Sequence, residues 1–317
     1  MTKAEFPTQV SVVSAAVSDR PGGPFEFLGY VHYEDGTLLG EKEGDEPQFD
    51  PGVLTEGENT YLFTGFCPKG DRSRSGAMLT VLGPDMLTVR REPRIVVPGY
   101  EYSSGTGFEG HAFFEASSIR KKDGLYYFIY SSEVMHELCY AVSGKPEGPY
   151  TYGGVLISNC DLHIDSYKPA VLPMAYGANN HGSMVQLGDD WYIFYHRHTN
   201  DTWYSRQGCA EKLTADPDGK IRQAEMTSCG LNNGPLCDKG EYPAYLACNL
   251  FTDSHSMYVE KNAPCVVQDG QGVCGDGYLT HMSNGCCAGF KYFRMEDVTG
   301  VQVKTKGYFR GKIEIRT

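Results

Sequence analysis

Three ionisable residues stand at equivalent points of a repeat. Asp50 opens Asp50-Pro51-Gly52-Val53-Leu54, Glu115 opens Glu115-Ala116-Ser117-Ser118-Ile119, and His181 opens His181-Gly182-Ser183-Met184-Val185. Eleven residues after each comes an aromatic run: Tyr61-Leu62-Phe63, Tyr126-Tyr127-Phe128 and Tyr192-Ile193-Phe194. An acid, an acid and an imidazole converging on one axis is the layout of an acid/base site. Two carboxylates flanking a sugar C–O bond are the machinery of glycoside hydrolysis, in which one must be protonated to deliver a proton to the leaving oxygen. Glu115 follows Phe113-Phe114, an apolar setting that raises its pKa by desolvation, and a neighbouring carboxylate raises it further. Glu115 is therefore the candidate proton donor. Asp50 is the group that holds that pKa up and orients Glu115. Glu109, in Phe108-Glu109-Gly110-His111, is the nearest competitor for the acid.

The repeat also says what must position these residues. Each unit has two short apolar runs around a turn, Lys122-Asp123-Gly124 and Gly188-Asp189-Asp190 in the second and third. Such a unit reads as a β-hairpin. The repeat period is about 65 residues. A second repeat runs in phase with it. Ala16-Val17-Ser18-Asp19-Arg20-Pro21-Gly22-Gly23-Pro24-Phe25 returns as Ala141-Val142-Ser143-Gly144-Lys145-Pro146-Glu147-Gly148-Pro149-Tyr150, with Pro84-Asp85-Met86-Leu87-Thr88 as a degenerate copy between them. These are expected turns into an outer strand, followed by strands near 27–31 and 153–157. A repeat of that length built from four short strands is a propeller blade, because one such sheet cannot bury both faces alone. The innermost strand of each blade lines the central channel, so Asp50, Glu115 and His181 converge there.

Composition narrows the field. Hydrophobic residues are 40% and charged residues 21% of the 317, which excludes disordered and collagen-like chains. No apolar run reaches the roughly 18 residues of a membrane helix. The formal charge of -12 repels phosphate backbones, so neither a membrane nor nucleic acid is an expected partner. The 11 cysteines are an odd number and include the neighbours Cys286 and Cys287, so most thiols are expected to be reduced and buried. No Cys/His spacing resembles a zinc site, and no metal site is assigned.

On these residues the chain resembles glycoside hydrolase family 43, the five-bladed β-propeller enzymes that act on arabinose- and xylose-containing polysaccharides. The matching stretches are Phe49-Asp50-Pro51, Phe114-Glu115-Ala116-Ser117-Ser118-Ile119-Arg120-Lys121, Gly177-Ala178-Asn179-Asn180-His181-Gly182 and Tyr195-His196-Arg197, spread over residues 8–235. The resemblance implies Glu115 as proton donor and Asp50 as pKa modulator. It places His181 in the channel near a water or bound cation, calcium in some members, with no cofactor required. It makes Arg206, in Tyr204-Ser205-Arg206-Gln207, the substrate-binding arginine; Phe49 and Phe114 are further candidate sugar contacts. The implied reaction is inverting hydrolysis by an α-L-arabinofuranosidase or β-xylosidase of plant cell-wall polysaccharide or oligosaccharide. The rival is a non-catalytic carbohydrate-binding propeller.

One departure bears on activity. An inverting enzyme needs a general base, which the family carries as an aspartate on its first blade. The strand at 10–17 looks like part of a second blade, and one period before Asp50 falls before Met1. The expectation is an all-β chain: an incomplete five-bladed propeller without its first blade over 1–240, then a partial carbohydrate-binding β-sandwich over 241–317, truncated at both ends and inactive or severely impaired alone. Ala288-Gly289-Phe290-Lys291-Tyr292-Phe293 resembles the start of the family 6-like module. Alternation in Val301-Gln302-Val303-Lys304 and Lys312-Ile313-Glu314-Ile315 predicts half-buried strands. Met1-Thr2-Lys3-Ala4-Glu5-Phe6 has no apolar signal core, so the location is cytoplasmic if Met1 is the true start and open to secretion if it is not. Asp161-Leu162-His163-Ile164-Asp165 reads as a strand-end loop rather than a metal motif. His111 and His136 are candidates for the channel or for packing, and Trp203 for a sugar platform or the core.

Overall fold

A computed structural model of the chain describes residues 12–258, 262–268, 277–307 and 310–316. The protein is all-β; two three-residue 3-10 turns, Tyr100–Tyr102 and Ala244–Leu246, are the helical segments among the described residues. β1 (Ser14–Val17) pairs antiparallel with β2 (Glu26–Tyr30). Val10 and Ser11 of the strand expected at 10–17 lie outside the described residues. β3 (Gly52–Glu56), β4 (Asn59–Thr64), β5 (Gly76–Leu82) and β6 (Val89–Pro98) form a four-stranded sheet in chain order. β7 (Phe113–Lys122), β8 (Leu125–Ser132), β9 (Glu137–Ser143) and β10 (Thr151–Ser158) form a second. β11 (Ser183–Leu187), β12 (Asp190–Thr199) and β13 (Thr202–Lys212) form a three-stranded sheet. The three hairpins of the repeat are β3–β4, β7–β8 and β11–β12.

The in-phase turns also coincide. Gly23 N–H donates to Arg20 O and Gly148 N–H to Lys145 O, each at 3.0 Å, and Gly23 and Gly148 sit at φ 79° and 85°. Glycine enters that left-handed region without steric cost. The degenerate copy turns at the matching place between β5 and β6, where Met86 N–H donates to Gly83 O at 2.9 Å.

Sheets that are covered on both faces explain the unbroken apolar runs. Side chains alternate across a strand. On β8, Tyr126, Phe128 and Tyr130 join a core with Phe63, Leu79 and Phe113 of the neighbouring strands, while Tyr127 and Ile129 join a different core with Met184, Ile193 and Tyr195. On β4, Tyr61 and Phe63 face the first core and Leu62 faces a third, with Val31 and Leu39. The sheets therefore stack face to face in chain order, each meander closing a layer of core with the next. Gly52 shows how close they come: a Cβ there would stand 2.5 Å from Ser117 O.

The regular meanders stop after β13. β14 (Asn249–Phe251) pairs with β17 (Cys287–Gly289), and β15 (Cys265–Gln268) with β16 (Gly277–Thr280). These short pairs are tied to the preceding sheets: Leu250 N–H donates to Met174 O, Asn200 N–H to Val266 O and Leu236 N–H to Tyr292 O. The strands expected at 301–304 and 312–315 do not form. Val301, Val303, Ile313 and Ile315 are each more than half exposed, and no pairing strand reaches them among the described residues. Alternation creates an amphipathic edge, but an edge without a partner gains neither a hydrogen-bond ladder nor burial.

The ten described cysteines carry no disulfide. Cys67, Cys139, Cys160 and Cys248 are buried, whereas Cys237 and Cys287 are exposed.

Candidate active site

The structure brings the repeated ionisable residues together. Asp50 sits at the turn into β3, and its Oδ2 accepts a hydrogen bond from Ala116 N–H at 3.2 Å, next to Glu115. His181 Nδ1 lies 3.8 Å from the same Oδ2. Asp50 and Ala116 both have positive φ, 46° and 69°. Non-glycine residues adopt that conformation at a cost of roughly 1–3 kcal/mol, and such strain gathers at functional sites. The register of β7 on β8 is interrupted on both sides of Glu115. Bulges of this kind re-aim a side chain, here one that a regular ladder would turn into a sheet face.

The electrostatics separate the roles. Burial, followed by the charge of Asp50, pushes the Glu115 carboxyl up to about 7, against a downward pull from Arg206. Burial also raises Asp50, partly offset by His181, the Ala116 amide and Arg206. Glu115 thus keeps its protonated form substantially populated up to near neutral pH, which is the state a general acid needs. Glu109 lacks these features: it is exposed, and backbone amides hold its carboxyl below the usual range.

Arg206, on β13, faces His198 across the strand pair, and its Nη1 donates to His196 Nε2 at 3.3 Å. Burial, then the charge of Arg206, pushes His196 down to about 3, so it is a neutral acceptor for the guanidinium. Sequence reasoning gave His196 no role. The signal was available, because His196 and His198 are two apart on a strand and so share a face, which the pairing of His198 with Arg206 identifies. Phe49 and Phe114 belong to an aromatic row completed by Phe66, at centroid distances of 5.2 and 5.3 Å. Phe66 was missed because nothing in the sequence marks it apart from other core aromatics. Trp203 is 58% exposed and edge-on to His198 at 5.3 Å, which removes the core-packing alternative.

Other candidates go elsewhere. His111 bonds Glu137, and His136 is buried with its Nδ1 3.0 Å from Ser158 Oγ. Asp161 is buried and ion-paired with Lys291, in the loop that follows β10. A cleft of about 380 Å³ opens between β13 and residues 226–248, lined by Arg197, Glu211 and Thr227. None of Asp50, Glu115, His181 or Arg206 lines it, so the acid/base chemistry lies outside this cleft.

Comparison with known proteins decides the family. The model of glycosyl hydrolases family 43 matches residues 2–221. The chain belongs to family 43 of the glycosyl hydrolases. A xylosidase/arabinosidase of Thermoclostridium stercorarium is 61% identical over 317 residues, covering 98% of this chain and 67% of that protein. One from Bacteroides ovatus is 30% identical over 236 residues, covering 66% of this chain and 64% of its own length. The chain spans about two thirds of the length of these curated relatives. The crystal structure of a family 43 arabinoxylan arabinofuranohydrolase from Bacillus subtilis, in complex with cellotetraose, aligns with TM-score 0.50 at 21% identity, covering 74% of this chain and 48% of that one. That likeness concerns the fold alone. Membership of family 43 places the chain among the glycosyl hydrolases, and the stretches from Phe49-Asp50-Pro51 to Tyr195-His196-Arg197 fall inside the matched region.

Proposed function

We propose that the chain carries the proton-donating side of an inverting glycosidase site, specific for arabinose- or xylose-containing oligosaccharides, on a five-bladed propeller fold. The supporting observation is Glu115: a half-buried carboxyl pushed up to about 7 beside Asp50, with Arg206 in the same field. Glu115 donates its proton to the glycosidic oxygen as the C–O bond breaks. Asp50 keeps that proton in place by its charge. Arg206, oriented by His196, offers donors to sugar hydroxyls. Phe49 and Phe114 provide apolar surface for a sugar ring. The xylosidase/arabinosidase names of the relatives support the substrate class.

Inversion also requires a base that activates water from the opposite face. Among the described residues, Asp50 is the one acid whose charge is felt at Glu115. The expectation is that the 317-residue chain alone turns over an aryl arabinofuranoside or xyloside slowly or not at all. A calcium ion beside His181 fits poorly: Asp50 is the carboxylate beside that imidazole, and one carboxylate falls short of the roughly six to eight oxygens that calcium takes. No step is routed through it. The partial sandwich over 241–317 rests on the β14–β17 and β15–β16 pairs.

The test is Glu115→Ala in the longest active form of the protein, assayed on an aryl glycoside with a good leaving group and on an unactivated oligosaccharide. A general acid matters far less for the good leaving group. Equal losses on both substrates would remove Glu115 from that role. Saturable oligosaccharide binding without turnover in every form would favour the binding-propeller alternative.

A further inference from the structure

The same end of the β7–β10 sheet that carries Glu115 holds a second cluster, which the glycosidase chemistry does not use. His111 precedes β7, while Glu137 and Cys139 are two apart on β9 and so share a face. His111 Nδ1 is 2.7 Å from Glu137 Oε1, Cys139 Sγ is 3.3 Å from that oxygen, and Sγ and Nδ1 are 4.0 Å apart. All three ligand atoms lie within 4.8 Å of one another. The Tyr152 ring stacks on His111 at 4.8 Å and fixes its plane.

The hydrogen bonding is lopsided. Glu137 Oε1 receives His111, Cys139 and also Ser132 Oγ at 2.6 Å, whereas Oε2 is buried and has no partner. Glu137 is wholly buried, and an unmet buried carboxylate oxygen is costly. From these contacts we infer that His111, Glu137 and Cys139 form a site for a divalent zinc-type ion. Bonds of about 2.0 Å to nitrogen and oxygen and about 2.3 Å to sulfur put tetrahedral ligands roughly 3.3–3.6 Å apart, which these atoms reach by shifts well under about 1 Å. A thiolate, an imidazole and a carboxylate select zinc over calcium or magnesium, which take oxygen ligands. The His111 side chain is 33% exposed, so solvent reaches the group and water fills the fourth position. Binding is not redox chemistry: the Cys139 thiol proton leaves to solvent, and His111 binds through Nδ1 as a neutral imidazole with its one proton on Nε2, any second proton going to solvent. The ion would pin β9 to the segment entering β7, two residues before the strand and four before Glu115.

Cobalt(II) tests this without reference to activity. Titrated into the metal-stripped full chain, it should give one equivalent of a near-ultraviolet thiolate-to-cobalt charge-transfer band that zinc then bleaches. Cys139→Ser should abolish the band. His111→Gln should weaken binding by more than the ~10–100-fold typical of losing a ligand's outer hydrogen-bond partner. His111 lies outside the strands, so that variant decides if Cys139→Ser fails to fold by circular dichroism. No band in the full chain would overturn the site outright, while a band that survives Cys139→Ser or an affinity unchanged in His111→Gln would overturn it and assign cobalt binding to the exposed thiols.

Discussion

Two pairs of carboxylates in this protein meet opposite fates. At the centre, Asp50 and Glu115 share a half-buried space with Arg206 and His181 nearby but with no ammonium bridging them, and both carboxyls are raised. At the seam between the third sheet and the C-terminal strands, Asp161 and Glu225 are bridged by Lys291 Nζ, at 2.9 and 2.6 Å. There burial pushes Glu225 up, but hydrogen bonds from Lys291 and Tyr292 outweigh it and hold it below its usual range. The residue types are the same; hydrogen bonds from an ammonium and hydroxyls separate the lowered Glu225 from the raised central pair. The first arrangement suits chemistry. The second suits assembly, since Lys291 also stacks over Tyr167 at 3.5 Å and brings its own strand segment against the core.

The sharpest way to break the contrast is to neutralise one acid of the central pair. Glu115→Gln should lower turnover of an unactivated substrate by about 10²–10⁴ with little change in stability. In the active protein the alkaline limb of kcat/KM should fall near pH 7, because Glu115 must be protonated to act, and Asp50→Asn should move that limb to lower pH. Next in size is Lys291→Met, which leaves the fully buried Asp161 without its cation. It should destabilise by roughly 3–5 kcal/mol in urea unfolding, and a loss below about 1 kcal/mol would dismiss the seam as an anchor.

A buried acid with no cation can also be read through pH. Burial pushes Glu211 up to about 8 despite bonds from Thr227 and Tyr195. Below about pH 4.5 the folded and unfolded states are both protonated. Between there and about 8 the unfolded chain loses the proton while the folded one keeps it, so stability drains away as pH rises. Relative to Glu211→Gln, the wild type should lose up to a few kcal/mol across that window, at about 1.36 kcal/mol per pKa unit. A flat difference would mean that water reaches Glu211. The smallest effect belongs to the tail: Val301→Ser with Ile313→Ser should change unfolding free energy by less than about 0.5 kcal/mol, as both side chains stand mostly in solvent.

What the sequence made legible was local or periodic. The hairpins at 50–64, 115–132 and 181–199 follow from short apolar runs around turn residues, and the repeat placed Asp50, Glu115 and His181 at one level. The pairing of β14 with β17 was not legible, because its register is set by strands 36 residues apart, with another strand pair between them in the chain. His111 and Glu137 meet across 26 residues because of the ladder between β7, β8 and β9, and nothing in their spacing resembles a metal motif. The tail misled for the opposite reason: its alternation is clear, but a pattern specifies a face and not the surface that covers it.

The contact of Gly52 with Ser117 O has a consequence for the chemistry. Asp50 and Glu115 belong to different sheets, so the gap between their charges is set by how tightly two backbones abut, not by any loop. Glu115 is therefore a strain gauge for the fold. Whatever pries the first meander from the second, a methyl group at Gly52 included, should register as a fall in the proton affinity of one carboxyl group.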